Sequence, residues 1–207
     1  VLNADEDMVN KLWDAKSRGL IIDGHCAGFS KDMLNVYATA NISTDHESIS
    51  PEEVIERLRR GIYVHMRQGS VAKNLKDLMV AANIKNSRRI CLCTDDKHID
   101  DLSLNGSIDS SIRTLINSGF DPETAISMAT INPAECYKLS YKGAIAPGYV
   151  ADFLILEDLQ EFKIKSVYKN GELIVNDNTL LIDISSDFYY ETKNNINTPD
   201  ITLEDLK

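Results

Sequence analysis

Four short apolar runs in this sequence each end in residues able to bind a metal, move a proton or donate hydrogen bonds. They are residues 20–25 (LIIDGH), 40–46 (ANISTDH), 61–70 (GIYVHMRQGS) and 88–96 (RRICLCTDD). Three of the ends carry His25, His46 and Asp95. Imidazole and carboxylate suit zinc, iron or manganese, and a cation with one open coordination position would make water reactive near neutral pH. That is hydrolytic chemistry. Histidines at strand ends also occur as ordinary hydrogen-bonded residues, so these residue types alone leave both readings open.

Helical patterns lie between the runs. Ser50-Pro51-Glu52-Glu53 supplies a cap, a proline at the first helical position and a glutamate at the third, with Val54, Ile55 and Leu58 following on one face. After Ser70, the residues Val71, Leu75, Leu78, Met79 and Ala82 recur at helical spacing. Further helices are expected at 107–118, behind Asp121-Pro122 and behind Asn132-Pro133. Strand ends therefore fall near residues 25, 46, 69 and 95, close to one β/α unit apart, with the helices as parallel crossovers. The pattern predicts an α/β chain whose residues 1–137 form half of a (β/α)₈ barrel, with the strand ends gathered on one rim. Because a whole barrel takes about 250 residues, this reading places the remaining strands upstream of Val1.

From Lys142 the pattern changes to apolar alternation, with Asn170-Gly171 between two strand runs. This predicts a separate small sheet within a β-rich segment over 138–207, since barrel strands buried on both sides would read as continuous apolar runs. A polar stretch from Asp187 closes the sequence.

Composition narrows the partners. A net charge of −10 argues against nucleic acid, whose binders gather Lys and Arg on one face. No run approaches the 18 or so apolar residues of a membrane span, and the acidic start is unlike a signal peptide, so a cytoplasmic protein away from membranes is expected. Cys26, Cys91, Cys93 and Cys136 form no C-x-x-C pair and are expected as reduced thiols. Cys91 and Cys93 would share one strand face as small buried side chains, and His65 reads as structural. The P-C-x-x-C deaminase signature, the G-x-S-x-G elbow and the P-loop and dinucleotide fingerprints are all absent from the sequence.

Longer strings carry a family likeness. IDGHCAGFSKDMLNVY, STDHESISPEEVIERLRRGIYVHMRQGS, KNLKDL, CLCTDDKHIDDL, ATINPAECYKL and KGAIAPGYVADFLIL closely resemble the adenine deaminases of the amidohydrolase superfamily, over about residues 20–175. The resemblance implies a metal-hydrolase barrel followed by a small β-sandwich-like segment, adenine as substrate and two divalent metals of manganese, iron or zinc type. It implies that His25 and His46 ligate one metal. Asp95 would bind the other and accept a proton from the attacking water.

Glu47 could move a proton to the ring or the leaving amine, or could simply lead a helix in solvent. Arg67, Gly69 and Ser70 are candidates for purine contacts, Ser70 equally for the cap of the next helix. Asp96 and His98 could orient Asp95 or the substrate, although His98 could equally be a surface residue. The resemblance also implies a first-strand His-x-His pair and a bridging acid or modified lysine from a fourth strand, neither of which these 207 residues contain. This chain is thus expected to be an internal fragment, inactive alone and prone to self-association through an open barrel edge. Two further readings stay open: another cyclic amidohydrolase, of dihydroorotase-like or imidazolone-cleaving type, and a non-catalytic oligomerising module.

Overall fold

In the computed structural model, which describes residues 1–183, 202, 204 and 205, three parallel strands run in the order β1 (Thr44–Asp45), β2 (Tyr63–Arg67) and β3 (Ile90–Cys93). Helix α1 (Glu6–Ser17) and helix α2 (Lys31–Thr39) precede them. Helix α3 (Pro51–Leu58) connects β1 to β2, and the short helix α4 (Leu75–Leu78), with a 3₁₀ turn behind it, leads from β2 to β3. Then follow α5 (Ile99–Asn105), α6 (Ile108–Asn117), α7 (Pro122–Ala129) and α8 (Ile131–Cys136).

Successive side chains on a strand face opposite ways, and here the two faces differ in chemistry. Val64, Met66, Ile90 and Leu92 join an apolar cluster with Val54 of α3, Leu75 and Leu78 of α4, Leu115 of α6 and Met128 of α7. His65, Arg67, Cys91 and Cys93 alternate with them, His65 opposite Cys91 and Arg67 opposite Cys93. One face anchors the sheet to its helices. The other is polar and soft.

Local signals place the helix starts correctly. The Ser50 hydroxyl accepts a hydrogen bond from the Glu53 amide at 3.4 Å, Pro51 occupies the first turn, and the Glu53 carboxylate accepts from the Ile49 amide at 2.8 Å. At α7, the Asp121 carboxylate accepts from the Thr124 amide at 2.8 Å, beside Pro122.

Two expected elements differ. Residues 20–25 are extended beside β1, with the Ser43 amide donating to the Ile22 carbonyl at 3.0 Å, but they form no strand. The amides of His25 and Cys26 donate instead to the Tyr37 hydroxyl at 2.8 Å and the Asp45 carboxylate at 2.9 Å. Side chains have taken the donors that a ladder would use. The helix expected from Val71 begins only at Leu75, and Val71 is exposed. The Val71 and Ala72 amides donate to the Asp96 carboxylate, at 2.9 and 3.2 Å, so residues 69–74 wrap around that side chain.

After Lys142 the chain builds a four-stranded antiparallel sheet, β4 (Phe153–Asp158), β5 (Lys163–Lys169), β6 (Glu172–Asn176) and β7 (Thr179–Leu180), in that order. Asn170 at φ 51° and Gly171 at φ 83° make the β5–β6 turn, the left-handed geometry that an Asn-Gly hairpin favours. Strand β4 pairs with β5 and stays apart from β3. Even so, Phe162, Leu156 and Ile164 pack against the apolar cluster of the parallel sheet. The remainder of the last expected run, and most of the polar stretch from Asp187, lie outside the described residues.

On α3, Glu56 accepts from Arg60 at 2.8 Å and Arg59 at 2.7 Å and faces Lys31 at 3.4 Å. The Arg60 hydrogen bond and these other cations outweigh partial burial and hold its carboxyl at about 2, below its ordinary value of 4.5. A folded-state pKa that is depressed stabilises the protein above the unfolded value, and this contribution disappears as pH falls through the folded one. Acid titration between about 4.5 and 2 is therefore expected to destabilise the fold, with a shallower decline in Glu56→Gln, as followed by the urea midpoint at each pH.

Candidate active site

Gly24 lets the first site loop lie against β1. A Cβ there would meet the Ile42 side chain and sit 2.6 Å from the Thr44 carbonyl oxygen. Beyond it, His25 holds its backbone through Tyr37 of α2 and leaves its imidazole largely exposed. His46 and Glu47 follow β1 directly, with 22% and 14% of their side chains exposed.

These three converge. His25 Nδ1 lies 3.6 Å and His46 Nε2 3.4 Å from Glu47 Oε1, and the two imidazoles meet edge to face at 5.3 Å. One donor atom from each of His25, His46 and Glu47 falls within 4.8 Å of the others, a nitrogen and oxygen set that suits a borderline divalent cation.

Arg67, at the end of β2, extends the cluster toward β3. Its Nη1 donates to Glu47 Oε1 at 2.8 Å and to Asp95 Oδ2 at 2.7 Å. Burial would weaken the guanidinium's hold on its proton, but Asp95 and Glu47 more than reverse this and raise its pKa, so the group stays cationic between two carboxylates. Asp95 stands two residues beyond β3 with φ at 52°, a left-handed conformation that Asp adopts more readily than most residues. Its side chain is 39% exposed.

The remaining expected residues form an adjoining loop cluster. Partial burial would raise the Asp96 pKa, and the amides of Val71 and Ala72 outweigh it, so the carboxyl lies below its ordinary value. Ser70 does not cap α4, whose cap position is Asn74. Its hydroxyl donates to Asp101 of α5 and accepts from the His98 amide at 2.8 Å. His98 is exposed at the N-cap position of α5. Gly69 lies so close to the β3 loop that a Cβ would collide with Asp96 Oδ1 and sit 2.9 Å from the Thr94 carbonyl oxygen. Gly69→Ala is thus expected to destabilise the protein by about 1–3 kcal/mol, the usual range for overpacking, measured by urea denaturation.

A supporting network had not been anticipated. Asp45 and Arg57 are both fully buried, with Arg57 Nε 2.5 Å from Asp45 Oδ2. Arg57 also donates to the Cys26 carbonyl at 2.7 Å, and Asp45 accepts from the amides of Cys26 at 2.9 Å and Glu47 at 3.2 Å. The residues next to His25 and His46 are thereby tied to one ion pair.

Imidazoles and carboxylates thus line one rim of a parallel sheet in an α/β fold, a donor set suited to a divalent cation. Residues 2–174 match the amidohydrolase family, and the chain belongs to it, a family that generally uses divalent metal ions. The chain is 51% identical over 174 residues to an adenine deaminase of Bacillus pumilus, covering 84% of this chain and 30% of that protein. It is 44% identical to an adenine deaminase of Clostridium acetobutylicum, covering 100% of this chain and 36% of that one. It thus spans about a third of the length of the curated relatives it matches. A β-aspartyl dipeptidase from Fervidobacterium islandicum superposes with a TM-score of 0.67 at 20% identity, over 87% of this chain and 56% of the other, and shares the fold. Among the described residues no helix is long and apolar enough to cross a membrane.

Proposed function

We propose that this chain is a segment of an adenine deaminase. In this reading residues 1–137 supply the second half of a (β/α)₈ barrel, and the β-rich segment from 138 belongs to a small sandwich-like unit. The observation that carries it is the convergence of His25, His46 and Glu47, joined by Arg67 to Asp95, in a chain half identical to an adenine deaminase over most of its length.

His25 and His46 would hold one divalent cation and Asp95 a second, with manganese, iron or zinc suited to such ligands. When bound, these ions supply Lewis acidity toward water and the purine. The chain's own groups do the rest. Asp95 accepts a proton from water as the water oxygen bonds to C6 of adenine, and Glu47 delivers a proton to the departing amine. The C6–N bond breaks, leaving hypoxanthine and ammonia. Arg67 positions both carboxylates, while Gly69, Ser70, Asp96 and His98 shape the loops beside the ring. The reading also implies a cytoplasmic enzyme of purine salvage that self-associates and has no nucleic-acid partner.

The test uses the longer polypeptide that contains this chain, supplied with manganese, iron or zinc and assayed for ammonia release from adenine and for opening of hydantoin-type rings. Turnover of adenine alone is expected. Hydantoin opening without adenine turnover would reject the reading. The 207 residues contain no His-x-His pair, so in the same assay this chain alone is expected to match the metal-only control.

A further inference from the structure

One side-chain layer below Arg67 and Cys93, on the same face of the parallel sheet, lies a group that the proposed reaction does not use. His65 stands opposite Cys91 in the parallel register, and Cys136, the last residue of α8, closes the third side. One donor atom from each falls within 4.8 Å of the others, and the residues are 7%, 1% and 4% exposed.

A pair of thiols and a histidine in a protein interior can be plain packing. Here, however, His65 Nε2 faces Cys136 Sγ at 3.9 Å, a weak partner for a buried imidazole. With zinc–sulfur bonds of about 2.3 Å and zinc–nitrogen bonds of about 2.0–2.1 Å, tetrahedral coordination separates the two ligand atoms by about 3.6 Å. The observed gap needs only a few tenths of an ångström of closure. Charge also decides the metal. Two thiolates and a neutral imidazole around a divalent ion sum to zero, whereas a monovalent soft ion would leave a net buried charge with its desolvation cost.

We propose that His65, Cys91 and Cys136 form a zinc site that ties β2, β3 and α8 together beneath the candidate active site. Three protein ligands leave a fourth position for a small donor. The proposal is independent of which C–N bond the candidate active site cleaves.

Cobalt(II) is the probe. The reduced chain, titrated anaerobically, is expected to bind one equivalent with thiolate-to-cobalt charge-transfer absorption in the near ultraviolet, displaced by zinc. The His25, His46 and Glu47 group contains no sulfur and cannot give that band. The band should vanish in Cys91→Ser and in Cys136→Ser and persist in Cys93→Ser. Should the buried serine variants fold poorly, the unsubstituted chain serves: zinc is expected to protect Cys91 and Cys136 from alkylation, located by mass spectrometry. No charge-transfer band, a band surviving in either Cys91→Ser or Cys136→Ser, or protection confined to Cys26 or Cys93 would overturn the assignment.

Discussion

Asp95→Asn, in the longer polypeptide, is expected to lower adenine turnover by about 10²–10⁴-fold, the usual contribution of a positioned acid or base. The substitution keeps the shape of the side chain and a carbonyl oxygen that can still accept from Arg67 Nη1, now 2.7 Å from Asp95. Asn also tolerates the left-handed backbone at this position, where φ is 52°. What it loses is the capacity to take a proton from water at neutral pH. The thermal midpoint should therefore change little while ammonia release collapses. Turnover within a few-fold of the parent, at unchanged metal content, would remove Asp95 from the reaction.

Arg57→Met is expected to destabilise the chain by about 3–5 kcal/mol, the cost of leaving one partner of a buried ion pair alone. Asp45 would keep its burial without its cation. In the parent, burial pushes the Asp45 pKa up, but the Arg57 charge and the hydrogen bonds from Cys26 more than reverse it, so the carboxyl lies below its ordinary value. Removing Asp45 as well would not restore stability. The amides of Cys26 and Glu47 donate to its carboxylate, and both would then lack their acceptor. Urea denaturation of Arg57→Met and of the double variant with Asp45→Leu measures both statements. A loss below about 1 kcal/mol in Arg57→Met would place the pair with weakly coupled surface bridges.

The helix starts were legible because their signals are local: Ser50-Pro51 and Asp121-Pro122 act within one turn. The strand expected at 20–25 failed because its donors go to Tyr37 and Asp45, 12 and 19 residues away, which no local pattern encodes. Asp96 likewise shortened the helix after Ser70 from more than twenty residues downstream.

At the site, His25, His46 and Asp95 could be picked out as ligand-type residues at the ends of apolar runs. Arg67, a candidate for purine contacts, bridges two carboxylates. Glu47 stands close enough to both histidines to share a cation with them, a role that sequence reasoning had not given it. Arg57 did leave a trace. It falls three residues after Val54 and one before Leu58, on the apolar side of its helix, where a charge asks for a buried partner. His65 and Cys91 read as structural because Cys136, which completes their group, arrives from a helix 45 residues beyond Cys91.

Phe162 closes the loop between β4 and β5 with φ at 48° and only 3% exposure, inserted among residues of the parallel sheet's helices. An aromatic residue holds such a backbone only where its surroundings over-determine it. Lifting the antiparallel sheet away would strip cover from the apolar cluster and release the ring at the same moment. The two sheets are therefore thermodynamic partners despite having separate hydrogen-bond ladders. Neither should melt before the other, and a polypeptide trimmed at residue 137 would lose part of the interior of what remains.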